Sequence, residues 1–144
     1  MIRQATDADI PALAAMGARF HAASDYANLL TPTPEAVERT LRGLLAGGVI
    51  FVGEQDGVLA GAILGMVMPH FLSGELVCGE LAWWVDPAHR GSLGVRLLRR
   101  LEEWARAQGA VRMAVAAPAG APRVDALYLR TGYCMVEKAF MKVL

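Results

Sequence analysis

The chain has 144 residues, 55% of them hydrophobic and 19% charged, with 14 basic residues balanced by 14 acidic ones. That length suits one domain spanning residues 1–144 with a proper core, and the balanced charge gives no global field for nucleic acid. No apolar run reaches the ~18–20 residues of a membrane span, while two cysteines without a C-x-x-C pattern and an N-terminus without an apolar leader point to reduced thiols in the cytoplasm.

Residues 2–5 read as a short first strand. Thr6-Asp7-Ala8-Asp9 then offers an N-cap and an acidic first turn, and Pro11 falls early enough to be tolerated in the helix that follows. Ile10, Leu13, Gly17 and Phe20 recur on one face of that helix, which is expected to pack on a sheet. The pattern lapses around His21 to Tyr26. Thr33-Pro34-Glu35 restarts a helix with Val37, Leu41, Leu44 and Leu45 inward, and Gly47-Gly48 ends it.

Val49 to Val52 reads as a strand, Asp56-Gly57 as a hairpin turn and Val58 to Met68 as the partner strand. Gly57, Gly61 and Gly65 make a G-x-x-x-G-x-x-x-G series there, a pattern also used where membrane helices pack. The apolar run is too short to span a bilayer and Pro69-His70 closes it, so it reads as a buried strand. A further strand covers about Glu75 to Val85. Val111 to Ala116 makes another after an intervening helix, a β-α-β crossover with a locally parallel pair. A short helix over Arg123 to Thr131 is closed by Gly132, and Tyr133 to Leu144 supplies a last strand or a hairpin.

The most informative stretch is Val85-Asp86-Pro87-Ala88-His89-Arg90-Gly91-Ser92-Leu93-Gly94-Val95, between the strand ending at Val85 and a helix in which Leu97, Leu98, Leu101, Trp104 and Ala105 share a face. Two glycines and a serine let the backbone turn sharply and present N–H groups at a helix start, where the macrodipole adds positive character. The first turns carry Arg90, Arg96, Arg99 and Arg100, whereas the first carboxylate, Glu102, lies well inside. Cations at a helix N-terminus cost about 0.3–1 kcal/mol each unless an anion joins them. A phosphate-bearing ligand accounts for the pattern; a solvated basic face is the alternative.

This stretch resembles the acetyl-CoA-binding motif of the GCN5-related N-acetyltransferase (GNAT) superfamily, V-x-P-x-x-R/Q-G-x-G-x-G/A followed by a long helix. Val85, Pro87, Arg90, Gly91 and Gly94 match; the loop is one residue shorter, and Leu93 stands where glycine is usual. Leu127-Tyr128-Leu129-Arg130-Thr131-Gly132-Tyr133 resembles the family's L-Y-x-x-x-G-F/Y. The order of elements is also the family's, so the resemblance covers essentially the whole chain. It implies an α/β fold: a mixed, mostly antiparallel central sheet with a parallel, splayed pair around the central helix.

The resemblance further implies acetyl transfer from acetyl-CoA, without a metal, to a primary amine of a small molecule or peptide. An alkyl amine of pKa near ~10.4 is mostly protonated at neutral pH, so direct attack on the thioester needs a base or proton relay. Glu80 is the candidate, on the strand that runs beside the thioester in the family; strand alternation would put Cys78, Ala82 and Trp84 on its face, and an apolar setting would raise its pKa. Tyr128 matches the family's acid for the departing thiolate. Trp83, Trp84, Val85, Arg90, Gly91, Ser92, Leu93, Gly94 and Val95 are the implied cofactor-binding residues. The oxyanion-stabilising N–H falls near Trp84 or Val85, at a bulge where the strand parts from its neighbour. The two tryptophans serve equally well as core.

Acceptor contacts are expected from the segment between the first two helices and the loop after the third strand: Phe20, His21, Tyr26, His70 and Phe71. The three histidines form no H-x-x-x-H or H-E-x-x-H pattern, so no metal site is expected. The apolar content allows a homodimer. The competing reading is a non-catalytic acyl-CoA-binding or interaction module that keeps the fold; a weaker one is a binder of another phosphate-rich nucleotide.

Overall fold

A computed structural model describes residues 1–144. Five strands form one sheet in the order β1 (Ile2–Gln4), β2 (Val49–Gln55), β3 (Val58–Pro69), β4 (Leu76–Val85) and β5 (Arg112–Ala114). The first three pairings are antiparallel and β4–β5 is parallel. Helices α1 (Ile10–Ala23) and α2 (Pro34–Gly47) precede β2, α3 (Ser92–Ala107) links β4 to β5, and α4 (Pro122–Arg130) follows β5. This is the mixed α/β architecture expected from the sequence.

The local signals act as their chemistry requires. Thr6 N–H donates to Asp9 Oδ2 at 2.8 Å, and Asp9 in turn accepts both guanidinium nitrogens of Arg3, which also donates to Glu54. One three-residue turn of 3-10 helix, Asp7–Asp9, carries this cap ahead of α1. The Asp9 carboxyl is held far below the usual range, first by the Arg3 hydrogen bonds. At α2 the Thr33 hydroxyl accepts from Ala36 N–H at 3.3 Å. In the hairpin, Asp56 and Gly57 adopt φ values of 52° and 79°, the turn that matches strand twist.

Strand alternation divides the core into two. Val49 and Phe51 of β2 face α3, whereas Ile50 and Val52 face α1 and α2. Gly61 and Gly65 of the glycine series, joined by Gly53 of β2 and not by the turn residue Gly57, acquire a purpose in this arrangement. A Cβ on Gly53, Gly61 or Gly65 would meet Leu93 Cδ1 at 2.6 Å, Leu97 Cδ1 at 3.3 Å or Leu101 Cδ1 at 2.5 Å, respectively. Three leucines on one stripe of α3 thus sit over three glycines of β2 and β3, so the helix approaches the sheet closely. Each buried leucine contributes about 1.5–3 kcal/mol of hydrophobic stabilisation.

The final expected strand is not formed: residues 133–144 make no regular structure, and Phe140 is 93% exposed. Only three residues of β5 are in the ladder, which leaves little edge for another strand to pair with, and Glu137-Lys138 interrupts the apolar run.

Candidate active site

The ladder between β4 and β5 stops at Gly79–Ala114, while β4 continues, paired only with β3, to Val85. The two parallel strands therefore part beside Glu80. In the other ladder Gly65 pairs with Glu80 but Leu64 pairs with Ala82, so Leu81 is an inserted bulge residue. The bulge lies at Leu81, not at Trp84 or Val85, and it reverses the alternation. Cys78 and Glu80 face α3, whereas Ala82 and Trp84 face α1 and α2, against the single face expected for all four. One inserted residue flips every side chain that follows.

Glu80 and Tyr128 meet on a single residue, Ala116, just beyond the end of β5. Ala116 N–H donates to Glu80 Oε2 at 3.3 Å, and Tyr128 Oη donates to the Ala116 carbonyl at 3.1 Å. Burial pushes the Glu80 carboxyl up to about 7, with the Ala116 N–H pulling weakly the other way. Tyr128 is 6% exposed, tilted against Trp83 and Tyr133. Burial first, and the Glu80 charge second, raise its phenol well above the ordinary range, so it keeps its proton at neutral pH. The two expected catalytic residues are thus brought together; Tyr128 lies in the last turn of α4, which ends at Arg130 before the chain turns at Gly132, with φ +98°.

Beyond Val85 a turn of 3-10 helix over Pro87–His89 leads to Gly91, whose φ of 150° suits glycine, and to an α3 N-terminus without a side-chain cap. The amides of Ser92, Leu93 and Gly94 have no protein acceptor. A Cβ on Gly94 would lie 3.2 Å from the Trp83 ring, and the buried Trp83 indole N–H has no partner. Free amides, an orphaned donor and the exposed Arg96 and Arg99 fit an anion at this end of the helix. Leu93 differs from the expectation in one respect: its side chain is buried over Gly53, leaving only its amide for a ligand. Arg90, although exposed, is held against the strand end. Its Nε donates to the Val85 carbonyl at 3.2 Å and its guanidinium lies 5.3 Å from the Trp84 ring centre.

Trp84 forms part of another tie, its indole N–H donating to Asp86 Oδ1 at 2.8 Å, and Asp86 accepting a two-pronged contact from Arg19 of α1. Arg19 accordingly holds the Asp86 carboxyl below its usual range. Trp84 of this network lines a cavity of about 290 Å³ between α1, α2 and the sheet. Phe20 lines it, edge-on to Trp84 at 6.0 Å. The other expected acceptor residues do not. His21 Nε2 is engaged with the Leu30 carbonyl at 2.8 Å, Tyr26 is exposed, and His70 stacks on the exposed Phe71 away from the helices. The helix bodies and the sheet, not the segment connecting the helices, form the cavity, and the small residues Gly17 and Ala36 of the helices and Ala62 and Ala82 of the strands leave the space. Those small residues on otherwise apolar faces are the signal by which the sequence announces it.

With this geometry established, comparison with known proteins is informative. The model of the Acetyltransferase (GNAT) family matches residues 20–133. The chain belongs to the GNAT family. No curated protein sequence matches it. Among solved structures, AAC(6')-Iy in complex with the bisubstrate analogue CoA-S-monomethyl-acetylneamine superposes with a TM-score of 0.80 at 15% identity, covering 100% of this chain and 97% of that one. The aminoglycoside 6'-N-acetyltransferase AAC(6')-IG from Acinetobacter haemolyticus gives 0.76 at 18%, covering 100% and 99%. The ribosomal-protein-alanine N-acetyltransferase from Brucella melitensis biovar Abortus 2308 gives 0.76 at 19%, with the same coverage. At such identities the likeness is one of GNAT fold.

Proposed function

We propose that this GNAT protein transfers an acetyl group from acetyl-CoA to a primary amine by direct attack on the thioester, with Glu80 as base and Tyr128 as acid. The observation that carries the reading is the meeting of both side chains on Ala116, where β4 and β5 part. Acetyl-CoA supplies the acyl group as a thioester, whose C–S bond breaks as the N–C bond forms. Glu80, with a pKa of about 7, accepts a proton from the attacking amine, directly or through a water. Tyr128 holds its proton on the Ala116 carbonyl at rest and delivers it to the leaving thiolate. The net products are an amide and the free thiol of CoA.

Ser92, Leu93, Gly94 and Val95 of α3, with Gly91 before them, would hold the pyrophosphate through backbone amides. The free edge of β4 from Trp83 to Val85 offers main-chain partners to the pantetheine amides. Arg90, packed on Trp84, stiffens this edge and adds positive charge. Buried Cys78 and exposed Cys134 are both free thiols, in keeping with a reducing cytoplasm. The exposed apolar side chains of Met135, Val136 and Phe140 support a homodimer.

Release of CoA thiol from acetyl-CoA in the presence of a panel of amines tests the reading. Amine-dependent release that falls at least tenfold in Glu80→Gln and in Tyr128→Phe supports it. Binding of acetyl-CoA with no release on any amine favours a non-catalytic acyl-CoA-binding module.

A further inference from the structure

The cavity between α1, α2 and the sheet has no role in the chemistry above, and its composition is selective. Its lining contains no ionisable group; its polar side-chain groups are the Thr40 hydroxyl and the Trp84 indole N–H, the latter already donated to Asp86. A volume of about 290 Å³ falls near the lower end of small-molecule sites, which run roughly 300–1,000 Å³. An apolar cavity of roughly 150 Å³ already admits benzene. The polar groups of a polycationic or polyhydroxylated acceptor would find no counter-charge here, and burying them unpaired is costly.

The cavity also stands in a definite relation to Glu80. Ala82 and Trp84 of β4 line it, and Glu80 lies on the same strand across the Leu81 bulge, on the opposite face. From Glu80 onward this edge of β4 is not paired with β5. Two residues of strand span roughly 7 Å, about the full length of an arylethylamine from the far edge of its ring to its nitrogen. A molecule with its apolar body among Phe20, Leu41 and Trp84 can extend an amino group past the β4 edge toward Glu80.

We infer that the cavity between α1, α2 and β4 selects the acceptor, and that the acceptor is a monoamine with a compact apolar body, of the arylalkylamine or short alkylamine class. This rests on the acetyltransferase reading and narrows it. It also separates the protein from the acceptor chemistry named for its aminoglycoside-modifying fold relatives.

Gly17 provides the test. It lines the cavity, and a Cβ added there meets nothing within 4 Å. Gly17→Leu therefore fills the space and favours the helix, since leucine has the higher helix propensity. 2-Phenylethylamine, hexylamine, kanamycin and spermidine would be assayed by CoA release. In parallel, 2-phenylethylamine would be titrated calorimetrically into wild type and variant saturated with CoA, and acetyl-CoA into each alone. The expected result is kcat/KM for the two monoamines at least tenfold above the polycations. The variant should lose at least tenfold in monoamine kcat/KM and in 2-phenylethylamine affinity, with acetyl-CoA affinity unchanged within twofold. Preference for kanamycin or spermidine, insensitive to the substitution, would overturn the inference and leave the acetyltransferase intact. Use of hexanoyl-CoA by wild type, lost in Gly17→Leu while monoamine use persists, would assign the cavity to the acyl chain and equally overturn it. Calorimetric binding of 2-phenylethylamine, abolished by Gly17→Leu in a protein that releases no CoA, would support the site while refuting the reaction.

Discussion

Glu80 is under two opposed demands, because the burial that raises its pKa into the range suited to the proposed base also penalises its charge. With its pKa raised to about 7 from an ordinary 4.5, the folded state holds a proton that the unfolded chain has lost between those values. Stability from this group is therefore fully present at low pH and is lost as pH rises from about 4.5 to 7. In the proposed mechanism activity runs the other way, rising with pH as the carboxylate forms. Glu80→Gln should then lose kcat and the ascending limb of the pH–kcat/KM profile near pH 7, yet unfold at a temperature equal to or above wild type at pH 8. A parallel loss of melting temperature would show a structural role instead. Tyr128→Phe should lower kcat by a factor on the order of 10²–10⁴, the range of general-acid contributions, with acetyl-CoA affinity within threefold of wild type. Unchanged turnover would remove the phenol from the mechanism. The sequence pointed to Tyr128 through its motif and to Glu80 through its place on the strand before Val85. Ala116 was not legible there, since its contribution is backbone polarity and any residue other than proline supplies it.

At the scale of elements, α3 joins the two halves of the account, with its N-terminal amides at the cofactor end and its leucine stripe on the glycines of β2 and β3. Gly61 is the least forgiving of these seats, because an added Cβ would lie 2.9 Å from the Trp84 carbonyl, which is backbone and cannot swing aside. Gly61→Ala should cost about 1–3 kcal/mol in urea unfolding, as overpacked cores do; a loss below 0.5 kcal/mol would mean the strands give way freely. The hairpin, the helix caps and the amphipathic faces were readable because each is a local rule: Asp-Gly for the turn, Thr33 for the cap, helical spacing for Leu97, Leu98 and Leu101. The Leu81 bulge was not, because it arises from how β3 and β4 share the sheet. It alone explains why Trp84 faces α1 while Trp83 faces α3, which alternation from Glu80 would have reversed.

For the molecule as a whole, the motifs around Gly91 and Tyr128 fixed the fold by their order and separation, and the five-stranded sheet bears this out. The C-terminal segment is the departure, with apolar side chains and no partner strand, because pairing depends on an edge that β5 barely provides. The proposed homodimer belongs at this scale. Sedimentation equilibrium should report a mass near twice the 15.4 kDa of one chain, shifting to monomer when Met135, Val136 and Phe140 are replaced together by serine. A wild-type monomer at high micromolar concentration would contradict that association.

The central claim is that the open N-terminus of α3 and the parted edge of β4 accept acetyl-CoA. Calorimetric titration of the purified protein with acetyl-CoA, repeated with ATP and with Arg90→Ala, tests it most directly. The account predicts one-to-one binding with micromolar affinity, weakened several-fold in the variant and absent for ATP. No heat of binding with acetyl-CoA, from protein shown by circular dichroism to be folded, would contradict it.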